Sequence, residues 1–267
     1  MPYATVNGQR LYYEDTGGNR GGTQPAIVFS HGLLMDHEMF APQVDALRAH
    51  WRCIGWDERG HGRTAGDAIA PFSYYDSADD LAALLDHLGI QRAVLAGMSQ
   101  GGYLSLRCAL RHPQRVRALI LIDTQAQTED PAKTGGYRQL LEAWAQHGLA
   151  QPIADTIAQI ILGAGWAGTP AWQEKWRGWQ AHNLMASFET LVSRDDISDQ
   201  LSRITVPALV VHGEADAAIS LDRARDMTTR LPHAQLVTVP GAGHAANLTH
   251  PQAANAAIET FLAGLRD

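Results

Sequence analysis

Ser99 stands at the centre of AGMSQGG, residues 96–102, between Gly97 and Gly101 and directly after the apolar run Ala93-Val94-Leu95. Glycines two positions to either side of a serine, at the exit of a strand, let the chain turn a corner too tight for larger residues. The hydroxyl then projects above a sheet as a nucleophile. Gly102 relieves crowding on the helix side. A hydroxyl is a poor nucleophile until a base takes its proton, and that base needs a carboxylate to hold its tautomer and orientation. Of the 12 histidines, His244 lies in GAGHAANLTHP, a glycine-rich loop between the last expected strand and the terminal helix, from which an imidazole reaches back over a sheet. For the acid, Asp216 follows ALVVHG in the turn GEADAAIS, at the C-terminal end of a strand, where open α/β sheets assemble their sites. It has two rivals: Glu214, two residues earlier, whose bland reading is a solvent-facing side chain, and Asp123, which ends the strand after that of the nucleophile.

Acyl transfer also requires preorganised donors for the oxyanion that forms on the attacked carbonyl, each worth about 3 kcal/mol of barrier. One follows from geometry: the backbone N–H of Gln100, directly after the serine, at the positive end of a helix. The second is expected from the loop after AIVFS, which reads Ser30-His31-Gly32-Leu33.

The elements that must position these groups are legible as short runs. Tyr3 to Val6 and Leu11 to Glu14 flank Asn7-Gly8, a pair suited to a tight hairpin turn, and read as two antiparallel edge strands. The runs Ala26 to Ser30, Cys53 to Asp57, Ala93 to Met98, Leu119 to Asp123, Ala208 to His212 and Gln235 to Val239 are continuous rather than alternating, as in strands covered on both faces. Ser77 to Leu88, ending at Gly89, and Gly101 to Arg111, ending before Pro113, carry helical spacing. This alternation predicts an α/β fold, a mostly parallel central sheet with helices on both faces. It breaks between 126 and 200, where helix-like segments follow one another without a strand. The expected division is a core domain of residues 1–125 and 201–267 and a helical cap of 126–200.

Composition bounds the function. A chain of 267 residues, 45% apolar and 18% charged, has material for one large core plus an inserted element. A net charge of −7 and the lack of any like-charged block argue against nucleic acid as a partner. Cys53 and Cys108 sit in apolar stretches without metal-like spacing, as buried free thiols of a reducing compartment do. No targeting pattern opens the chain and no apolar stretch approaches the roughly 20 residues of a membrane helix. The expectation is a soluble cytoplasmic protein with no membrane partner. No metal-ligand cluster or phosphate-binding loop is present, so no metal and no cofactor are expected. Nothing in the sequence speaks to oligomeric state.

Taken in order, HGLL, DERGHG, GMSQGG, GEAD and GAGH resemble the α/β-hydrolase superfamily over essentially the whole chain, and Ser99, Asp216, His244 is that superfamily's order of nucleophile, acid and base. The resemblance implies the N–H of Leu33 as the second oxyanion donor and the helical insertion as a cap over the site. It also implies a structural role for His61 in the DERGHG loop, and His31 reads likewise as a residue that fixes the oxyanion loop. In length and arrangement the chain is similar to the cap-bearing group of enol-lactone hydrolases, small carboxylesterases, carrier-protein methyl esterases, carbon–carbon hydrolases and cofactor-free haloperoxidases. Haloalkane dehalogenases and epoxide hydrolases carry an aspartate where this chain has Ser99. The reading that follows is a serine hydrolase that cleaves a small hydrophobic ester or lactone through an acyl-enzyme. Its alternatives are a slow hydrolase-like receptor, or a carbon–carbon hydrolase or perhydrolase on the same fold. Trp166, ringed by Gly163, Gly165 and Gly168, together with Met98, Met185 and Phe188, is expected to line an apolar substrate pocket, whereas Trp172, Trp176 and Trp179, one helical face, read as packing surface.

Overall fold

The apolar runs assemble into one eight-stranded sheet in the computed structural model, which describes residues 2–17, 24–64, 66 and 68–265. In chain order the strands are β1 (Tyr3–Val6), β2 (Gln9–Asp15), β3 (Ala26–Ser30), β4 (Arg52–Trp56), β5 (Ala93–Met98), β6 (Val116–Ile122), β7 (Ala208–Gly213) and β8 (Ala234–Val239). In space they run β1-β2-β4-β3-β5-β6-β7-β8. From β4 to β8 every pairing is parallel, while β2 is antiparallel to both β1 and β4. The expected hairpin forms, with Asn7 at φ 47° and Gly8 at φ 74°. Of this pair only β1 is an edge, however: β2 reaches β4 through Tyr13, Glu14 and Asp15 and so is hydrogen-bonded on both sides.

Every residue of β3, β5 and β7 is buried. Their unbroken apolar pattern therefore reflects cover on both faces, and the site at their C-terminal ends rests on the most protected part of the sheet. The helices are α1 (Ala41–Leu47), α2 (Tyr74–His87), α3 (Gln100–Arg111), α4 (Pro131–His147), α5 (Gln151–Ile161), α6 (Thr169–Arg177), α7 (Ala181–Val192), α8 (Leu221–Arg230), α9 (Ala246–Thr249) and α10 (Pro251–Ala263). Helix α2 starts three residues before its apolar periodicity suggests. Ser73 and Asp76 form a reciprocal capping box there, the Asp76 carboxylate accepting the Ser73 N–H at 2.7 Å.

Between β6 and β7 the chain builds α4 to α7 and, among the described residues, no strand. Prolines Pro131, Pro152 and Pro170 open three of these helices, at positions where the missing N–H costs nothing. The tryptophan face of α6 is packing surface. Trp172 and Trp176 are buried, and Trp179, past the helix end, stands edge-on to the His61 ring with centroids 4.8 Å apart. The Trp176 indole N–H donates to the Leu34 carbonyl at 2.8 Å, and Lys175 bridges Asp36 and Glu38 at 2.7 and 2.8 Å. Helix α6 is thus fastened to the loop after β3. Trp176→Phe keeps an aromatic ring but empties part of the buried indole's volume and orphans the Leu34 carbonyl, so a loss of about 2–4 kcal/mol is expected, read as a lower denaturant midpoint at unchanged slope. No helix of the described residues is long and apolar enough to cross a membrane.

Candidate active site

Strand β5 leads straight into Ser99, whose backbone takes φ 51° and ψ −114°, a conformation rare for a residue with a side chain. The surrounding glycines follow from that corner. A Cβ at Gly97 would overlap the backbone of Gly101, one at Gly101 would overlap the Ser30 carbonyl, and one at Gly102 would overlap the Thr124 side chain. The strained corner is held by its neighbours: Ser99 N–H donates to the Ile122 carbonyl at 2.9 Å, and the Ser99 carbonyl accepts from Thr124 Oγ1 at 2.7 Å and Gly102 N at 2.9 Å.

The loop after β8 brings His244 back over the sheet, and Nε2 lies 3.0 Å from Ser99 Oγ. On the other side of the ring, Nδ1 lies 2.8 Å from Asp216 Oδ2. Asp216 Oδ1 accepts the N–H groups of Ala218 and Ile219 at 2.8 and 3.0 Å, which fixes the carboxylate in its turn. With Asp216 as acceptor, Nδ1 carries the proton and Nε2 is free to accept from the serine hydroxyl. Burial disfavours the charged ring of His244, but the Asp216 charge and hydrogen bond outweigh it and raise its pKa above the ordinary value. Burial likewise pushes the Asp216 carboxyl up, and the His244 charge and hydrogen bond reverse this, holding it below the usual range.

Neither rival acid reaches the histidine by a hydrogen bond. Glu214 is exposed and accepts from Thr238 Oγ1 at 2.8 Å. Asp123 is fully buried, but its two oxygens accept the N–H of Gly213 at 2.7 Å and of Ala246 at 2.9 Å. It therefore ties the strand end that leads to Asp216 to the loop that carries His244. Burial first, and then the Asp216 charge, push its pKa well above the ordinary value. Asp123, His212 and Asp216 offer three donor atoms within 4.8 Å of one another, yet the carboxylate oxygens are already taken by N–H groups. The cluster positions Asp216 and is poorly suited to hold a metal ion.

Gln100 begins α3, so its N–H has no partner within the helix. Among the described residues no protein atom accepts from the N–H of Gln100 or of Leu33. His31 holds the loop that carries Leu33: Nδ1 donates to the Gly32 carbonyl at 2.9 Å and Nε2 accepts from Glu58 N–H at 3.0 Å. His61 donates to the Arg59 carbonyl at 2.8 Å and faces the Gln100 amide at 3.3 Å. Burial, helped by the nearby His31, pushes its pKa down to about 3, so the ring is neutral. Both histidines shape the loops around Ser99.

Ser99 and His244 open onto a cavity of about 100 Å³, walled on the sheet side by Leu33 and Met98 and on the other by residues of α4, α5 and α7. Of the side chains expected to line a substrate pocket, Met98 and Phe188 do so; Trp166 and Met185 are not among the lining residues. Trp166 lies over Gly168 in its own loop, and both side chains pack half-buried against the core. Sequence reasoning missed the polar residues Tyr103, Glu129 and Tyr137 of this wall and the aliphatic face Ile157, Ile160 and Ile161 of α5. The spacing of those isoleucines was the available signal; Glu129 carried none.

Comparison with known proteins agrees with this architecture. Residues 25–251 match the model of a family described by the alpha/beta hydrolase fold. A protein of Caulobacter sp., provisionally named a carbamate hydrolase, is 32% identical over 270 residues, covering 99% of each chain. Among solved structures, the enol-lactonase of Burkholderia xenovorans superposes with a TM-score of 0.88 at 28% identity, over 98% of this chain and all of that one. A thermophilic esterase of Thermogutta terrifontis does so with a TM-score of 0.86 at 26% identity, over 100% of this chain and 98% of the other.

Proposed function

This chain belongs to the alpha/beta hydrolase fold family, and from that premise we propose that it is a serine hydrolase acting on a carboxylic ester or lactone with a small hydrophobic acyl group. The observation that carries the reading is the hydrogen-bonded line from Ser99 through His244 to Asp216, opening onto an apolar cavity. Ser99 Oγ attacks the carbonyl while His244 Nε2 takes its proton. The negative oxygen of the tetrahedral intermediate is held by the N–H groups of Gln100 and Leu33. His244 then returns the proton to the leaving alcohol, and a water deprotonated by the same nitrogen hydrolyses the acyl-enzyme. Helices α4 to α7 act as a cap that shapes the acyl pocket and excludes water, and no cofactor enters the cycle. That relatives carry names for ester, enol-lactone and carbamate hydrolysis supports an acyl-type carbonyl as the substrate.

The test is labelling with a fluorophosphonate probe, with the modified peptide mapped to Ser99, beside turnover on a panel of p-nitrophenyl esters and lactones. Peroxide-dependent halogenation and vinylogous diketone cleavage, run in parallel, decide against a perhydrolase or a carbon–carbon hydrolase. Absence of both labelling and turnover overturns the proposal.

The pH profile is a second check. The base works only when neutral, and its pKa is raised in this site, so kcat/KM must climb as pH rises through an apparent pKa above histidine's ordinary value of about 6.5. An acidic limb centred well below that value contradicts the assignment of His244.

A further inference from the structure

Apart from Ser99 and His244, the wall of the cavity is almost wholly aliphatic and aromatic, and it presents no lysine or arginine. Its single other ionisable acid is Glu129, on the loop between β6 and α4. The Glu129 side chain is 8% exposed, and Oε2 pairs with Arg194 Nη1 at 2.7 Å. Arg194 follows α7, has 1% of its side chain exposed, and does not reach the wall: its Nη1 also donates to the Leu191 carbonyl, Nε donates to the Gln127 carbonyl, and its guanidinium lies 4.1 Å from the centre of the Tyr103 ring. The cation thus sits behind the wall, paired with Glu129 through Nη1, while its Nη2 is buried without a hydrogen-bond partner. Glu129 Oε1, by contrast, accepts no hydrogen bond from any described residue.

A carboxylate oxygen held at the wall of an apolar cavity is a strong acceptor without a donor, and such a group discriminates among ligands by whether they supply one. Tyr137, also on the wall, adds a second polar atom; burial, with Glu129 nearby, pushes its phenol up to about 12, so it stays an uncharged hydroxyl. A substrate carboxylate would meet the Glu129 charge first, because Arg194 lies behind Glu129 and presents no atom to the wall. A methyl end would leave Oε1 desolvated and unpaired.

Resting on the ester or lactone reading above, we propose that Glu129 is a specificity residue that selects acyl groups carrying an uncharged hydrogen-bond donor, a hydroxyl in the first instance, at a distance from the scissile carbonyl, and that it excludes acyl groups ending in a carboxylate. Opening a lactone leaves such a hydroxyl on the acyl chain. Ser99 Oγ bonds to the ring carbonyl, the ring C–O bond breaks, and the proton from Ser99 passes through His244 to the departing oxygen, which remains tethered as a hydroxyl.

Three p-nitrophenyl esters of equal acyl length test this: hexanoate, 6-hydroxyhexanoate and the half-ester of adipate. In the unaltered enzyme kcat/KM is expected to favour the hydroxyl end over the methyl end by about 10-fold and over the carboxylate end by on the order of 100-fold. Two variants separate the causes. Glu129→Gln frees the Arg194 cation, so the adipate half-ester gains at least about 10-fold relative to the other two. The double change Glu129→Leu with Arg194→Met removes both charges without stranding either, and the hydroxyl preference collapses toward the methyl end. Fluorophosphonate labelling of Ser99 certifies that each variant is folded, and the ratios in the unaltered enzyme stand whether or not a variant folds. Equal rates on all three esters, or a carboxylate end that is favoured, overturn this inference alone. Failure to hydrolyse any of them overturns it together with the ester-hydrolase reading.

Discussion

Ser99→Ala is expected to lower kcat on a short p-nitrophenyl ester by on the order of 10⁴-fold or more and to abolish fluorophosphonate labelling. The change deletes one oxygen and keeps the Cβ, so the unusual backbone at φ 51° is neither relieved nor worsened. The hydrogen bonds that hold the corner, from Thr124 Oγ1 and to the Ile122 carbonyl, involve only the main chain of residue 99 and survive. The thermal midpoint therefore stays within about 2 °C, corresponding to less than about 0.5 kcal/mol. Loss of rate at constant stability is the signature of a removed nucleophile. In the proposed mechanism Ser99 and His244 act as one unit, so His244→Ala is expected to cost a similar factor and the double variant to be barely slower than either single one. A Ser99→Ala enzyme that hydrolyses the ester at the parent rate ends the mechanism.

The second large effect separates the carboxylates. In Asp216→Asn, one side-chain atom must still accept the N–H groups of Ala218 and Ile219, which directs the amide oxygen there and turns the NH₂ toward His244 Nδ1. Facing a donor, Nδ1 gives up its proton and Nε2 takes it, so the ring presents an N–H to Ser99 where an acceptor is needed. A loss of about 10⁴-fold in kcat is expected, with little change in KM. Asp123→Asn fails differently. Its NH₂ must face the N–H of either Gly213 or Ala246, a donor against a donor in a fully buried place. The expected result is a loss of about 2–4 kcal/mol in stability. The folded fraction, titrated with the fluorophosphonate probe, keeps far more activity than Asp216→Asn does. The reverse ranking of the two variants assigns the acid to Asp123.

The parts of the molecule legible in the sequence are those in which a local rule and the global fold demand the same residue. Gly97, Ser99 and Gly101 follow from one tight corner, and the buried strands β3, β5 and β7 are apolar throughout because both faces are covered. His244 and Asp216 were found because the end of a strand is where a sheet of this kind gathers side chains. The start of α2 was missed because Ser73 and Asp76 override the apolar periodicity. The cavity wall was harder. Met98 lies at the end of a strand and Phe188 on the buried side of α7, so both could be placed, while Trp166 and Met185 depend on how the helices between β6 and β7 dock, which no short pattern encodes. Glu129 and Arg194 lie 65 positions apart on two irregular segments, and only the assembled structure shows them as a pair.

Helix α6 is bolted to the peptide segment that follows β3: Trp176 bonds to the Leu34 carbonyl, and Lys175 holds Asp36 and Glu38. The amide of Leu33 belongs to the same few residues. In the proposed mechanism, sequence drift in α6 therefore cannot tune ligand choice without also disturbing the chemical step, whereas α5 offers Ile157, Ile160 and Ile161 to the cavity and has no described side-chain hydrogen bond to that segment. Lineages diverging from this scaffold would find new substrates most cheaply by rewriting α5, and laboratory libraries placed there should recover altered selectivity at undiminished turnover.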